Sequence, residues 1–141
     1  MARNLLLLTF AGLLLVAVPA AAAPPFGSFG GLVGGGNVAT GIMPLHGWAL
    51  DDLGIDRVEV YVDGVPAGTA YYGFRRPDVE AVYPGYPDSA TAGFGIELNS
   101  TLWLNGFHTL SAVVVARDGE RTTLGESYQL QFNNASHLLP P

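Results

Sequence analysis

HGWALDDLGIDRVEVYVDG, His46 to Gly64, decides how the rest of the chain is read. It divides into two strands and the turn between them. Asp51, Asp52 and Gly54 mark the turn, and beyond it Val58, Val60 and Val62 alternate with Arg57, Glu59 and Tyr61. Apolar residues at a period of two describe a strand with one buried face. Asp63-Gly64 closes that strand with a dipeptide suited to a tight hairpin, because glycine tolerates a positive φ. Upstream, Leu45, Gly47 and Ala49 share a face, which turns His46, Trp48 and Leu50 to the opposite side.

Outward from this stretch toward the N-terminus, the composition changes twice. Residues 23–40 carry PP and GGG and almost no charge, which reads as a flexible lead-in ending in a first strand near Val38–Ile42. Pro44 interrupts, so the strand Leu45–Leu50 is expected to start just after it. Residues 1–22 have a basic start at Arg3, an apolar run from Leu5 to Val18 and small residues after Pro19. That is the layout of a secretory signal peptide, cut after Ala22, with a run too short for the roughly 20 residues a membrane span needs.

Without that leader, five arginines face twelve carboxylates, and the chain has no lysine and no cysteine. An acidic chain without a basic stripe is a poor partner for nucleic acid or an anionic membrane surface. The absence of cysteine rules out disulfides, thiolate chemistry and cysteine-held zinc, so stability must come from the core. The mature protein is expected to be secreted or periplasmic, monomeric and not inserted in a membrane.

Downstream of the hairpin, Val65 to Tyr72 reads as another strand. Gly73 to Gly93 is the longest stretch without strand character; Pro77 followed by Asp78 and Glu80 fits one helical turn. Phe94, Ile96 and Leu98 alternate as the next strand, and Leu110, Ala112 and Val114 line a face of the strand His108–Ala116. The turn Arg117–Glu120 leads into a last strand, Thr122 to Phe132, and 133–141 reads as a frayed tail. About seven short strands between turn signals predict an all-β antiparallel sandwich. Val58, Val60, Val62, Phe94, Ile96, Leu98, Leu110, Ala112 and Val114 are expected inside. Val60→Asp should abolish folding, and Glu59→Lys on the outer face should cost within about 0.5 kcal/mol.

The run GWALDD, GI, VEVYVDG, RPDV, YPGYP, AGF, IEL, NGFHTL and RDGE resembles the bacterial immunoglobulin-like domains of secreted and cell-surface proteins. The resemblance covers Leu45 to Phe132, and the domain as a whole is taken as 41–132. It implies an immunoglobulin-like β-sandwich that serves as a spacer, adhesive or accessory module and has no shared active site. It does not name a ligand. A chain carrying one such domain, with no second copy, fits a spacer role poorly.

Few residues suggest chemistry. His46, His108 and His137 lack the close spacing of a zinc site, and no serine sits in a G-x-S-x-G elbow. Paired acids need a sugar cleft that a small sandwich scarcely offers. The expectation is therefore no enzyme and no cofactor. Asp51 and Asp52 are weak calcium candidates, since hard cations want several oxygens and D-x-[DN]-x-[DN]-G is absent. The sequons at Asn99 and Asn134 are expected to be silent in a bacterial chain.

The aromatics give the remaining lead. Trp48, Tyr71, Tyr72, Phe74, Tyr83 and Tyr86, together with Arg75, Arg76 and Asp78, are the candidate interaction or clamp residues. The loop 73–93 is expected to fold over Trp48, with Arg75 or Arg76 pairing with Asp51 or Asp52 while its plane, or the Pro77 ring, lies on the indole. The competing expectation is an exposed Trp48 that binds. The sequence thus points to a non-catalytic binding or structural module with a protein or cell-surface partner, or alternatively to a carbohydrate-binding accessory module.

Overall fold

Eight strands carry the chain from Phe26 to Phe132 in a computed structural model that describes residues 21–135. They are β1 (Phe26–Leu32), β2 (Val38–Ala39), β3 (Ile42–Leu50), β4 (Ile55–Val62), β5 (Val65–Phe74), β6 (Gly93–Asn99), β7 (Gly106–Ala116) and β8 (Arg121–Phe132). A short helix, α1 (Pro77–Val82), lies between β5 and β6. Residues 1–20, most of the expected leader, and 136–141, the end of the expected tail, fall outside the described residues. Among the described residues no helix is long and apolar enough to cross a membrane.

The strands form one sheet, in the order β1-β3-β6-β5-β4-β7-β8-β2, curled into a half-barrel. All neighbours are antiparallel except β2, which runs parallel to β8. β5 makes the curl possible. Its first part, through Ala70, pairs with β4, and Tyr71 to Phe74 pair with β6. Gly68 stands at φ +152°, a conformation open to glycine, at the irregularity opposite Val60 where β5 is still paired with β4, and the strand passes to β6 after Ala70. The first strand then meets the eighth: the Leu32 N–H donates to the Tyr128 hydroxyl at 3.2 Å, and the Phe29 and Tyr128 rings meet edge to face.

The alternation in β4 is the inner face it predicts. Val58, Val60 and Val62 are fully buried, opposite Val114, Ala112 and Leu110 of β7. Phe94 and Leu98 are buried, and Ile96 is partly buried against the same core. Asp63 (φ 50°) and Gly64 (φ 76°) make the two-residue turn between β4 and β5, with both central residues at positive φ.

Three expectations change. The lead-in 23–40 contains two strands, β1 and β2. FGSFGGL lacks apolar alternation because close approach, not side-chain burial, governs it: a Cβ on Gly27 would lie 2.1 Å from the Trp48 carbonyl. β3 begins at Ile42, ahead of Pro44. The Pro44 carbonyl accepts from the Val33 N–H at 2.9 Å, so its missing N–H also faces β1, and the ladder to β6 stays intact. The start of the tail is tied down as well. Asn134 is buried; its Oδ1 accepts from the Gly41 N–H and its Nδ2 donates to the Ser100 carbonyl.

Candidate functional site

Three strands form one strip of the outer surface that is thin in side chains. On β6, Gly93 and Gly95 face outward, opposite Trp48 and His46 of β3 on one side and Phe74 and Tyr71 of β5 on the other. Two glycines in alternate positions take side chains off the strip and leave a floor of backbone. Phe74 and Arg76 lie close against that floor, which is why neither position has room for a side chain. A Cβ on Gly93 would come within 2.9 Å of the Phe74 Cβ, and one on Gly95 within 3.1 Å of the Phe74 ring. The result is a groove of about 490 Å³ walled by Pro44, His46, Phe74, Arg76 and Glu97. Its size is that of a small-ligand or side-chain pocket.

The wall on the β5 side is aromatic and open to solvent. Tyr71 and Phe74 are 61% and 52% exposed, and their rings pack edge to face at 4.7 Å and 64°. A single exposed ring needs no explanation, but two packed together beside a groove are the kind of surface partners bury. Charge is confined to the rim. Arg76 forms a two-pronged pair with Asp78, Nε to Oδ1 at 2.8 Å and Nη2 to Oδ2 at 2.6 Å. Donation from that guanidinium holds the Asp78 carboxyl down at about 2. The Arg76 N–H donates to the Ala90 carbonyl, so the backbone at the rim is fixed as well. Among the described residues neither Glu97 nor His46 enters an ion pair.

The other aromatics serve packing. Trp48, Tyr83, Tyr86 and Phe26 surround buried Leu50, Val79 and Ala92, with Trp48 5.5 Å from Tyr83 and 6.0 Å from Phe26. The loop 73–93 does lie over Trp48. Tyr72 points inward, its hydroxyl donating to the Ala49 carbonyl at 2.9 Å. Burial, helped by the charge of Asp88 and opposed by Arg117, pushes that phenol up to about 12.

The arginine clamp is not what holds the loop. Arg76 pairs with Asp78, Arg75 is exposed, and the face of the indole belongs to Tyr83. Only Pro77 separates Arg76 from Asp78, so their pairing orders little chain, whereas reaching Asp51 would order a whole loop. Asp51 instead accepts from the Leu53 N–H at 2.8 Å, and Asp52 is exposed. Among the described residues no three acidic or imidazole side chains gather as a metal site.

The structure therefore brings Phe74 and Arg76 to one groove, with Tyr71 packed on Phe74 and Asp78 paired to Arg76 beside it, and sends Trp48, Tyr72, Tyr83 and Tyr86 to packing. Sequence reasoning missed His46, Glu97, Gly93 and Gly95. The one signal was the alternation of glycine with apolar residues in GFGIEL, which marks an outer face without side chains. Compared with known proteins, the chain matches no family model and no curated sequence.

Proposed function

We propose that this chain is an exported, non-catalytic binding module with an immunoglobulin-like arrangement of strands, and that it engages a protein partner through the Gly93–Gly95 groove. The observation that carries the binding role is the groove itself, floored by backbone and flanked by two exposed rings. The strand order supports the fold reading. β1-β3-β6-β5 follows the order of the four-stranded immunoglobulin sheet, and β4-β7-β8 follows that of its three-stranded partner.

A protein partner fits better than a glycan. A sugar chain stacks best on coplanar rings, and Tyr71 and Phe74 stand at 64° to each other. Edge-to-face rings beside a backbone floor instead make a socket for one inserted apolar side chain. The Phe74→Ala and Tyr71→Ala changes remove exposed surface and should alter stability by no more than about 0.5 kcal/mol. Labelled protein applied to cells of the producing organism should bind saturably, and the double variant should lose at least tenfold in affinity at unchanged melting temperature. Binding that survives the double change would refute the site. Binding to a glycan array that depends on Phe74 would move the reading to the carbohydrate module.

A further inference from the structure

Asp51 is an aspartate 1% exposed, at the end of β3. Its Oδ1 accepts from the Leu53 N–H, while its Oδ2 is buried and has no hydrogen-bond partner among the described residues. A buried carboxylate oxygen left bare is among the costliest groups a fold can carry, so something must donate to it. The carboxylate lines a small cavity of about 50 Å³ whose walls include Asp52, Ala23, Pro24, Phe26 and Tyr86.

We propose that this cavity receives the α-ammonium of Ala23, created when the leader is cut after Ala22, and that Asp51 is its counter-ion. The inference rests on the export reading of residues 1–22. Strand register brings the new terminus to the right place: Phe26 pairs with Leu50 and Gly27 with Ala49 in antiparallel sense, so the chain before Phe26 runs back beside Asp51 and Asp52. The cation supply points the same way. The protein has no lysine; Arg57 and Arg121 are held by Glu59, Arg76 by Asp78 and Arg117 by Asp88, while Arg75 is exposed and does not line the cavity. Pro24 has no N–H, so the nitrogen of Ala23 is the nearest backbone amine upstream of Pro25. A metal fits less well. The space holds about one or two waters' volume, and calcium wants six to eight oxygens. Processing would then complete the fold, since the precursor offers a neutral amide where the mature chain offers an ammonium.

Without lysine the α-amine of the mature protein is its only amine, so an acetylating ester reports on it alone. The full chain is expressed for export, and the product's intact mass is expected to begin at Ala23. Near pH 7 the folded wild-type protein should acetylate roughly tenfold more slowly than Asp51→Asn, as expected if the pairing raises the α-amino pKa one unit above its usual 7.7 to 8.0. In urea the two should react alike. Acetylated wild-type protein should melt about 5 °C or more below the unmodified form, and acetylation should leave the melting point of Asp51→Asn in place. Equal rates for folded and urea-unfolded wild-type protein would overturn the pairing, even if Asp51→Asn failed to fold. So would a melting point raised by calcium and lowered by chelator, which would give the cavity to a metal. A product that keeps Leu5–Val18 would overturn the export reading instead, and the mass alone distinguishes that failure.

Discussion

Glu59 faces outward from β4, and three donors converge on it: Arg57 Nε at 2.8 Å, Arg121 Nη2 at 2.6 Å and the Tyr61 hydroxyl at 2.8 Å. Donation from Tyr61, and then from the two arginines, outweighs desolvation and takes its carboxyl from 4.5 down to about 2. The earlier expectation that Glu59→Lys is nearly free is therefore revised. Exposed pairs contribute roughly 0.2 to 1 kcal/mol each, so losing two and setting a third cation between them should cost about 1 to 2 kcal/mol in urea denaturation. Val60, one residue away and fully buried, keeps its expectation of failed folding as Val60→Asp.

His108 adds the opposite pH slope. Burial lowers its pKa, but Nδ1 lies 2.6 Å from Asp63 Oδ2 and Nε2 lies 2.8 Å from the Leu104 carbonyl, and these acceptors win, so the net direction is upward. A depressed carboxylate stabilises above its unfolded value and loses that as pH falls through the folded one. A raised imidazole stabilises below its unfolded value and loses that as pH rises through the folded one. Stability should therefore fall below about pH 4.5 through Glu59, with the lowered carboxyls of Asp63 and Asp78 adding to the same limb, and above about pH 6.5 through His108. Thermal melts across pH check both limbs. The alkaline limb should flatten in His108→Gln and the acid limb in Glu59→Gln; unchanged limbs would remove these two groups from the account.

At the scale of elements, the loop between β5 and β6 is a lid of tyrosines over Trp48. In Trp103→Phe protein, where Trp48 is the only indole, acrylamide should quench weakly. Tyr83→Ala should raise the quenching, and Arg75→Ala with Arg76→Ala should not. Strong quenching in the unmodified loop would mean that Trp48 is open to solvent. What could be read in advance at this scale follows from how each element is held. β4 and β7 bury alternate side chains, and the Asp63-Gly64 turn needs a positive φ, so both leave a mark in the residue pattern. Pro77 with Asp78 and Glu80 likewise announces α1. β1 is held by what its glycines lack, and the groove floor by Gly93 and Gly95. An absent side chain leaves no periodicity to find. The choice of Asp78 over Asp51 as partner for Arg76 depends on loop entropy, which residue types alone do not express.

Across the whole molecule, the bond from Leu32 to the Tyr128 hydroxyl joins residues 96 apart and draws the two ends of the sheet together. Gly31 and Gly125 keep that seam close, since a Cβ on either would strike Tyr128 or Phe29. Tyr128→Phe keeps the ring and removes the acceptor, so the Leu32 N–H loses its partner. The expected cost is about 1 kcal/mol or more, with an unchanged denaturant slope, because the sheet still unfolds as one unit. A reduced slope would show that the seam, and not β5, makes the two halves cooperative.

β5, shared between both halves, also sets a clock. Only β4–β5 and β7–β8 join across short turns; β3–β6 and β4–β7 wait for distant chain to arrive. Such topologies fold in milliseconds to seconds, during which unpaired edges are open to other molecules. β1, flanked by Pro24 and Pro25 and built on glycine, is a poor template for strand addition. The blandness that hides this strand from a pattern search also guards the slow interval before the sheet closes.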